Sequence, residues 1–130
     1  MTRRVFPAAL FAPVVAQTES RLLDLLAALA EALSTGNAPA FLNHVDKKMP
    51  GYERLRSHIF AIVAQYDIAA SAEPLAEKDG AAEVDWYLEL KIKSQPDRVE
   101  RRRRILIMAY LDRKLIRLEP VDFFRPVLAP

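Results

Sequence analysis

Glu83-Val-Asp-Trp-Tyr-Leu-Glu-Leu-Lys-Ile-Lys93, Arg103-Arg-Ile-Leu-Ile-Met-Ala-Tyr-Leu111 and Lys114-Leu-Ile-Arg-Leu-Glu-Pro-Val-Asp-Phe-Phe124 decide the fold of this chain. In the first, Val84, Trp86, Leu88, Leu90 and Ile92 alternate with Asp85, Tyr87, Glu89, Lys91 and Lys93. A period of two gives a strand with one dry and one wet face. Ser94-Gln-Pro-Asp97 turns the chain, and Arg103–Leu111 returns it. Both faces of Ile105-Leu-Ile-Met-Ala-Tyr-Leu111 are apolar, which predicts a central strand covered on each side, by helices on one and by a second subunit on the other. The third stretch adds a strand and an aromatic tail. Upstream, Ile68–Glu77 reads as a weaker strand interrupted by Pro74, suited to a sheet edge or a bulge, and Lys78-Asp-Gly80 supplies a hairpin turn.

Three helical segments precede this meander. Leu22, Leu25, Leu26, Leu29 and Leu33 recur at steps of three and four behind a cap at Thr18 or Ser20, and Gly36 marks the stop. Asn37 opens a short helix with Pro39 in its first turn and Phe41, Leu42 and Val45 as apolar positions, and Lys47-Lys-Met-Pro-Gly51 ends it. Leu55, Ile59, Ile62, Val63 and Tyr66 form a stripe that predicts a third helix from Tyr52 to Tyr66. The whole is an α+β domain with helices packed on an antiparallel sheet.

The chain has 130 residues, 52% hydrophobic and 28% charged, the proportions of one globular domain. With zero cysteines and only His44 and His58, a disulfide framework, a thiolate metal site and a histidine-rich zinc site are unsupported. The three glycines, Gly36, Gly51 and Gly80, are too scattered for a phosphate-binding loop. No metal or cofactor is therefore expected. The net charge of +2 resides in Arg3 and Arg4; without them 17 basic face 17 acidic residues, so overall charge gives no case for nucleic acid. No apolar run approaches 20 residues, and stable membrane insertion is not expected.

Residues 1–16 carry no acid and read as a basic start, an apolar stretch and Val14-Val-Ala16 before Gln17, the order of a signal peptide. Thr2-Arg-Arg-Val-Phe6 resembles the core of a twin-arginine signal. This predicts export to the periplasm or beyond by either the Sec or the twin-arginine route, with residues 17–130 as the mature domain. The alternative is a cytoplasmic protein with a retained N-terminal arm.

The sequence of helices followed by a curved meander and a Pro-x-Asp-Phe-Phe tail resembles the NTF2-like superfamily, in its SnoaL-like, cone-shaped form. The residues that carry the resemblance are Ala32-Leu-Ser-Thr-Gly-Asn-Ala-Pro-Ala-Phe41, where a first helix breaks at Gly-Asn into a second, and Lys114–Phe124 as the final strand; Leu115 stands where many members have tryptophan. The resemblance covers about residues 20–125. It implies a pocket inside the cone and a homodimer through the sheet, and leaves open whether the domain is an isomerase, dehydratase or hydrolase or binds without catalysis.

Candidate site residues follow. His58, beside the third stripe, could serve as an acid or base near neutral pH, although neither it nor His44, expected to be exposed, has a catalytic partner by spacing. Asp85, Tyr87 and Glu89 have suitable chemistry but lie opposite Trp86 and Leu88. Tyr66, Trp86, Tyr110, Phe123 and Phe124 could line a cavity for a small apolar or amphipathic ligand, with Trp86 and Tyr66 approaching a common space. Arg101-Arg-Arg-Arg104, with Arg98 nearby, opens a strand, where its members diverge and can pair with Asp97, Glu100 and the acids of the neighbouring strand. Three functions remain: ligand binding or assembly without catalysis, cofactor-free catalysis by His58, Asp85 or Tyr87, and a pure interaction domain. In the last, changes at Ile107 or Met108 would act on self-association.

Overall fold

The computed structural model describes residues 21–126. The leader reading of residues 1–16 and the cap at Thr18 or Ser20 lie outside that range. Helix α1 covers residues 21–34 of the described part and buries Leu22, Leu25, Leu26, Leu29 and Leu33, the predicted stripe, together with Ala32. It stops at Gly36, whose φ of +71° suits a residue without a Cβ, while Asn37 N–H returns to the Ala32 carbonyl at 2.8 Å. Asn37 then caps α2 (Ala38–Leu42) by accepting from Ala40 N–H at 3.0 Å. Helix α3 (Tyr52–Gln65) buries Leu55, Ile59 and Ile62.

Tyr66 is not the last residue of α3 but the first of β1 (Tyr66–Lys78). Its four-residue step from Ile62 fits the helical stripe, yet its backbone is extended and pairs with Ile92. The side chain stays buried because the step into the strand keeps it on the core face. Strands β2 (Ala81–Ile92), β3 (Val99–Leu111) and β4 (Lys114–Glu119) follow, in the sheet order β1-β2-β3-β4, all antiparallel. β1 is an edge strand whose register shifts between Pro74 and Ala76, as the proline predicts. β3 starts at Val99 rather than Arg103, so the arginine run is already inside the ladder. The free side of β4 is partly occupied by the loop after α2, with Leu115 N–H donating to the His44 carbonyl at 2.7 Å and Asp46 N–H to the Leu115 carbonyl at 2.8 Å.

A 3-10 turn, Val121–Phe124, carries the tail back across the concave side of the sheet. Phe124 is fully buried there, edge-on to Trp86 (centroids 5.3 Å apart), Phe41 (5.8 Å) and Phe123 (5.1 Å). One apolar core thus joins α1, α2 and α3 to the inner faces of β2 and β3, and its burial is the main force holding the layers together. No helix among the described residues is long and apolar enough to cross a membrane.

Candidate functional site

Strand alternation sorts the candidate residues onto two sides of the sheet. Val84, Trp86, Leu88 and Leu90 are fully buried on the inner face, so Asp85, Tyr87 and Glu89 project from the outer one. The same rule divides the arginine run. Arg101 and Arg103 stand opposite Glu89 and Tyr87 on the outer face, and Arg102 and Arg104 stand opposite Leu88 and Trp86 on the inner face.

On the outer face Arg103 grips Asp85 with two nitrogens, at 2.7 Å from Nη2 and 3.1 Å from Nε, and Arg101 Nε donates to Glu89 at 3.2 Å. The Arg103 hydrogen bonds hold the Asp85 carboxyl below the usual carboxylate range, so it is a settled anion and a poor proton donor at neutral pH. A cleft of about 450 Å³ lined by Leu23, Ser71, Glu73, Asp85, Tyr87 and Arg103 runs beside it. Farther along β3, Ile105, Ile107, Ala109 and Leu111 occupy successive outward positions, with Ile105 52% and Leu111 61% exposed. Among the described residues nothing supplies the second cover predicted for this strand at Ile105 and Leu111. Met108 belongs to the other face: it is buried and accepts the Trp86 indole N–H at 3.2 Å, so only Ile107 of the predicted pair faces outward.

The helical side brings together what sequence spacing leaves apart. His58 Nε2 lies 3.1 Å from Asp122 Oδ1, and Arg54 Nη1 reaches the same oxygen at 3.4 Å. One helical turn places Arg54 and His58 on one side of α3, and the 3-10 turn delivers Asp122 to them. Chiefly through the His58 hydrogen bond, then through Arg54, the Asp122 carboxyl is held below its usual range. A neutral His58 in this contact carries its proton on Nε2, leaving Nδ1 as the basic nitrogen. His58 therefore has an aspartate partner, 64 residues away and invisible to spacing. His44 is half-buried in the loop after α2 rather than exposed.

Beside this pair, Glu100, the whole run Arg101–Arg104, Asp122, Phe123 and Arg125 line a cleft of about 400 Å³. Arg102 is fixed there, its Nε on Glu100 at 2.8 Å and its Nη1 on the Phe123 carbonyl at 2.8 Å.

Trp86 and Tyr66 are both core residues, and Phe124 stands edge-on to Trp86 and to Phe41 on the helical side. Phe123 is buried against Phe124. Tyr110 is half-buried at the far end of β3 and donates its hydroxyl proton to Glu77; burial first, then that carboxylate, pushes the phenol up to about 12. His58, the Asp85–Tyr87 pair and Tyr110 thus sit in three separate places. Among the described residues no group of three or more His, Asp or Glu is arranged to hold a metal ion.

By sequence, neither a protein-family model nor a curated protein matches the chain. By structure, it is similar to TsrD from Streptomyces laurentii (14% identity, 76% of this chain and 85% of that one, TM-score 0.63). It is also similar to the Δ5-3-ketosteroid isomerase from Mycobacterium sp. (9% identity, 75% and 89%, TM-score 0.63). An NTF2-like protein of unknown function from Cytophaga hutchinsonii aligns at 13% identity over 73% of this chain and 83% of that one, with a TM-score of 0.51.

Proposed function

The chain has an NTF2-like fold, and from that premise we propose that it is a non-catalytic assembly domain that pairs with a second copy through the outer face of its sheet. The observation that carries this reading is the apolar outward row Ile105, Ile107, Ala109 and Leu111 on an inner strand, its two ends exposed and its middle half-buried, where a monomer would be expected to place polar groups. The charged end of this face does not oppose pairing, since Arg103 on Asp85 and Arg101 on Glu89 neutralise one another within each copy. Among the described residues Phe41, Trp86 and Phe123 each pack edge-on against Phe124 on the inner side, which supports reading these four as core rather than as the walls of a ligand site. Sedimentation velocity on the full chain tests it. A dimer at micromolar concentration, which corresponds to about 8 kcal/mol of association, that becomes monomeric in Ile105→Glu with unchanged circular dichroism is the expected result; a wild-type monomer at about 100 micromolar ends the proposal.

One observation favours a second reading, cofactor-free acid–base catalysis of the kind an isomerase or dehydratase uses. Asp122 orients His58 as a carboxylate orients a catalytic imidazole. The structure of the site offers no nucleophile alongside it in the described contacts, which is why this reading ranks second. Turnover of a small carbonyl or hydroxy compound that disappears in His58→Gln would promote it.

Export belongs to the same proposal and rests on the leader-like order of residues 1–16. Expression of the full chain in a bacterial host, with the mature N-terminus sequenced from the periplasm, checks it. A cytoplasmic product that keeps Met1 would support the retained arm.

A further inference from the structure

We propose that the cleft between the 3-10 turn and the inner face of β3 binds a small oxyanion, a carboxylate or a phosphate, between Arg104 and Arg125. The argument begins with the arginine run. Arg101 and Arg103 are used on the outer face, at 3.2 Å from Glu89 and 2.7 Å from Asp85. Arg102 and Arg104 turn to the other side and, with Arg125, line a cleft of about 400 Å³ that Arg101 and Arg103 also border, within the size range of small-molecule sites.

The carboxylates in that cleft are already engaged. Glu100 is bound by Arg102, and Asp122 by His58 and Arg54. Arg104 and Arg125 make no ion pair or side-chain hydrogen bond among the described residues. The unmatched charge of the cleft is therefore positive and comes from two guanidinium groups, whose planar forks suit the paired oxygens of a carboxylate or phosphate. Arg102 stiffens the wall between them: its side chain is only 15% exposed, and its bond to the Phe123 carbonyl ties β3 to the 3-10 turn. A wall fixed before binding reduces the ordering cost of capture. A polyanion fits poorly, because Glu100 and Asp122 flank the two free arginines and Arg101, Arg102 and Arg103 are each already paired with a carboxylate.

The test is a titration of the ¹⁵N-labelled full chain with inorganic phosphate and, separately, with succinate, each against sodium chloride at matched ionic strength. Saturable shifts confined to residues 100–104 and 122–125 are expected with at least one oxyanion, and whichever saturates identifies the ligand chemistry. Arg104→Ala combined with Arg125→Ala should weaken binding at least tenfold, whereas Arg117→Ala, on β4 and outside the cleft, should leave it unchanged. Lysine at both positions keeps the charge but not the fork, and should fall between the two. Shifts that merely follow ionic strength, or saturable binding that survives the double substitution, would overturn the proposal.

Discussion

His58 Nε2 and Asp122 Oδ1 stand 3.1 Å apart across the junction of α3 and the 3-10 turn, and this contact fastens the C-terminal tail to the helical layer. Its pH dependence has a definite sign. The folded Asp122 carboxyl is held below its usual range by His58, with Arg54 adding to the effect. A depressed carboxylate contributes stability above the unfolded aspartate value, about 3.9, and loses that contribution as pH falls through the folded value. Asp122→Asn should therefore lower the urea midpoint slightly at pH 6, an exposed carboxylate being well screened by solvent and salt, and the gap to wild type should close on acidification below pH ~4. Identical midpoints at pH 6, or a gap that persists undiminished at pH ~2, would remove the contact from the account of stability.

Phe124 is the aromatic on which three others converge, and Trp86 is the only tryptophan in the chain. Phe124→Ala should cost about 3–5 kcal/mol by leaving a cavity beneath Trp86, a large share of the 5–15 kcal/mol typical of a domain. The same variant should red-shift the tryptophan emission and raise its quenching by acrylamide. An unaltered spectrum would mean that Phe124 does not seal the indole.

The sheet was legible because local chemistry and tertiary burial agree there. Every second residue from Val84 to Ile92 is apolar, and each of them is buried. Where one residue satisfies two patterns, the sequence misleads: Tyr66 fits the helical step from Ile62 and the inner face of β1 equally well, and only strand pairing distinguishes them. The fold class follows from such patterns, whereas the His58–Asp122 pair depends on a tail that folds back over 64 residues. Asp122 carries a faint signal, an acid beside two phenylalanines after a proline, but nothing local names its partner. The arginine run shows the same limit. Alternation reveals that its members diverge, but which carboxylates remain to meet them depends on the register of β2 against β3.

Gly51 precedes α3 with a φ of +80°, and a Cβ built there would stand 3.3 Å from Val121 Cγ2. Gly51→Ala thus combines left-handed backbone strain, about 1–2 kcal/mol for an L-residue, with a tight contact against the turn that carries Asp122. Combining Gly51→Ala with Val121→Ala separates the two effects, since the second change relieves the contact and leaves the backbone strain. The double variant should be less destabilised than the sum of the singles. Strict additivity in thermal melts would show that backbone strain accounts for the whole cost.

Tyr110 and Glu77 join the far ends of β3 and β1, and their alkaline behaviour opposes that of Asp122. Burial, and then the Glu77 carboxylate, pushes the Tyr110 phenol up to about 12, against an ordinary value near 10. A raised pKa contributes stability that is fully present below the unfolded value and is lost as pH rises through the folded one, so this contribution should fade between about pH 10 and pH 12. Phenolate absorbance should show one tyrosine titrating late while the protein remains folded, and Tyr110→Phe should remove that step. Glu77→Gln should move the same step down only part of the way towards 10, because burial, the larger cause, remains. A full return to the ordinary value would assign the shift to the carboxylate alone, and no movement would assign it to burial alone.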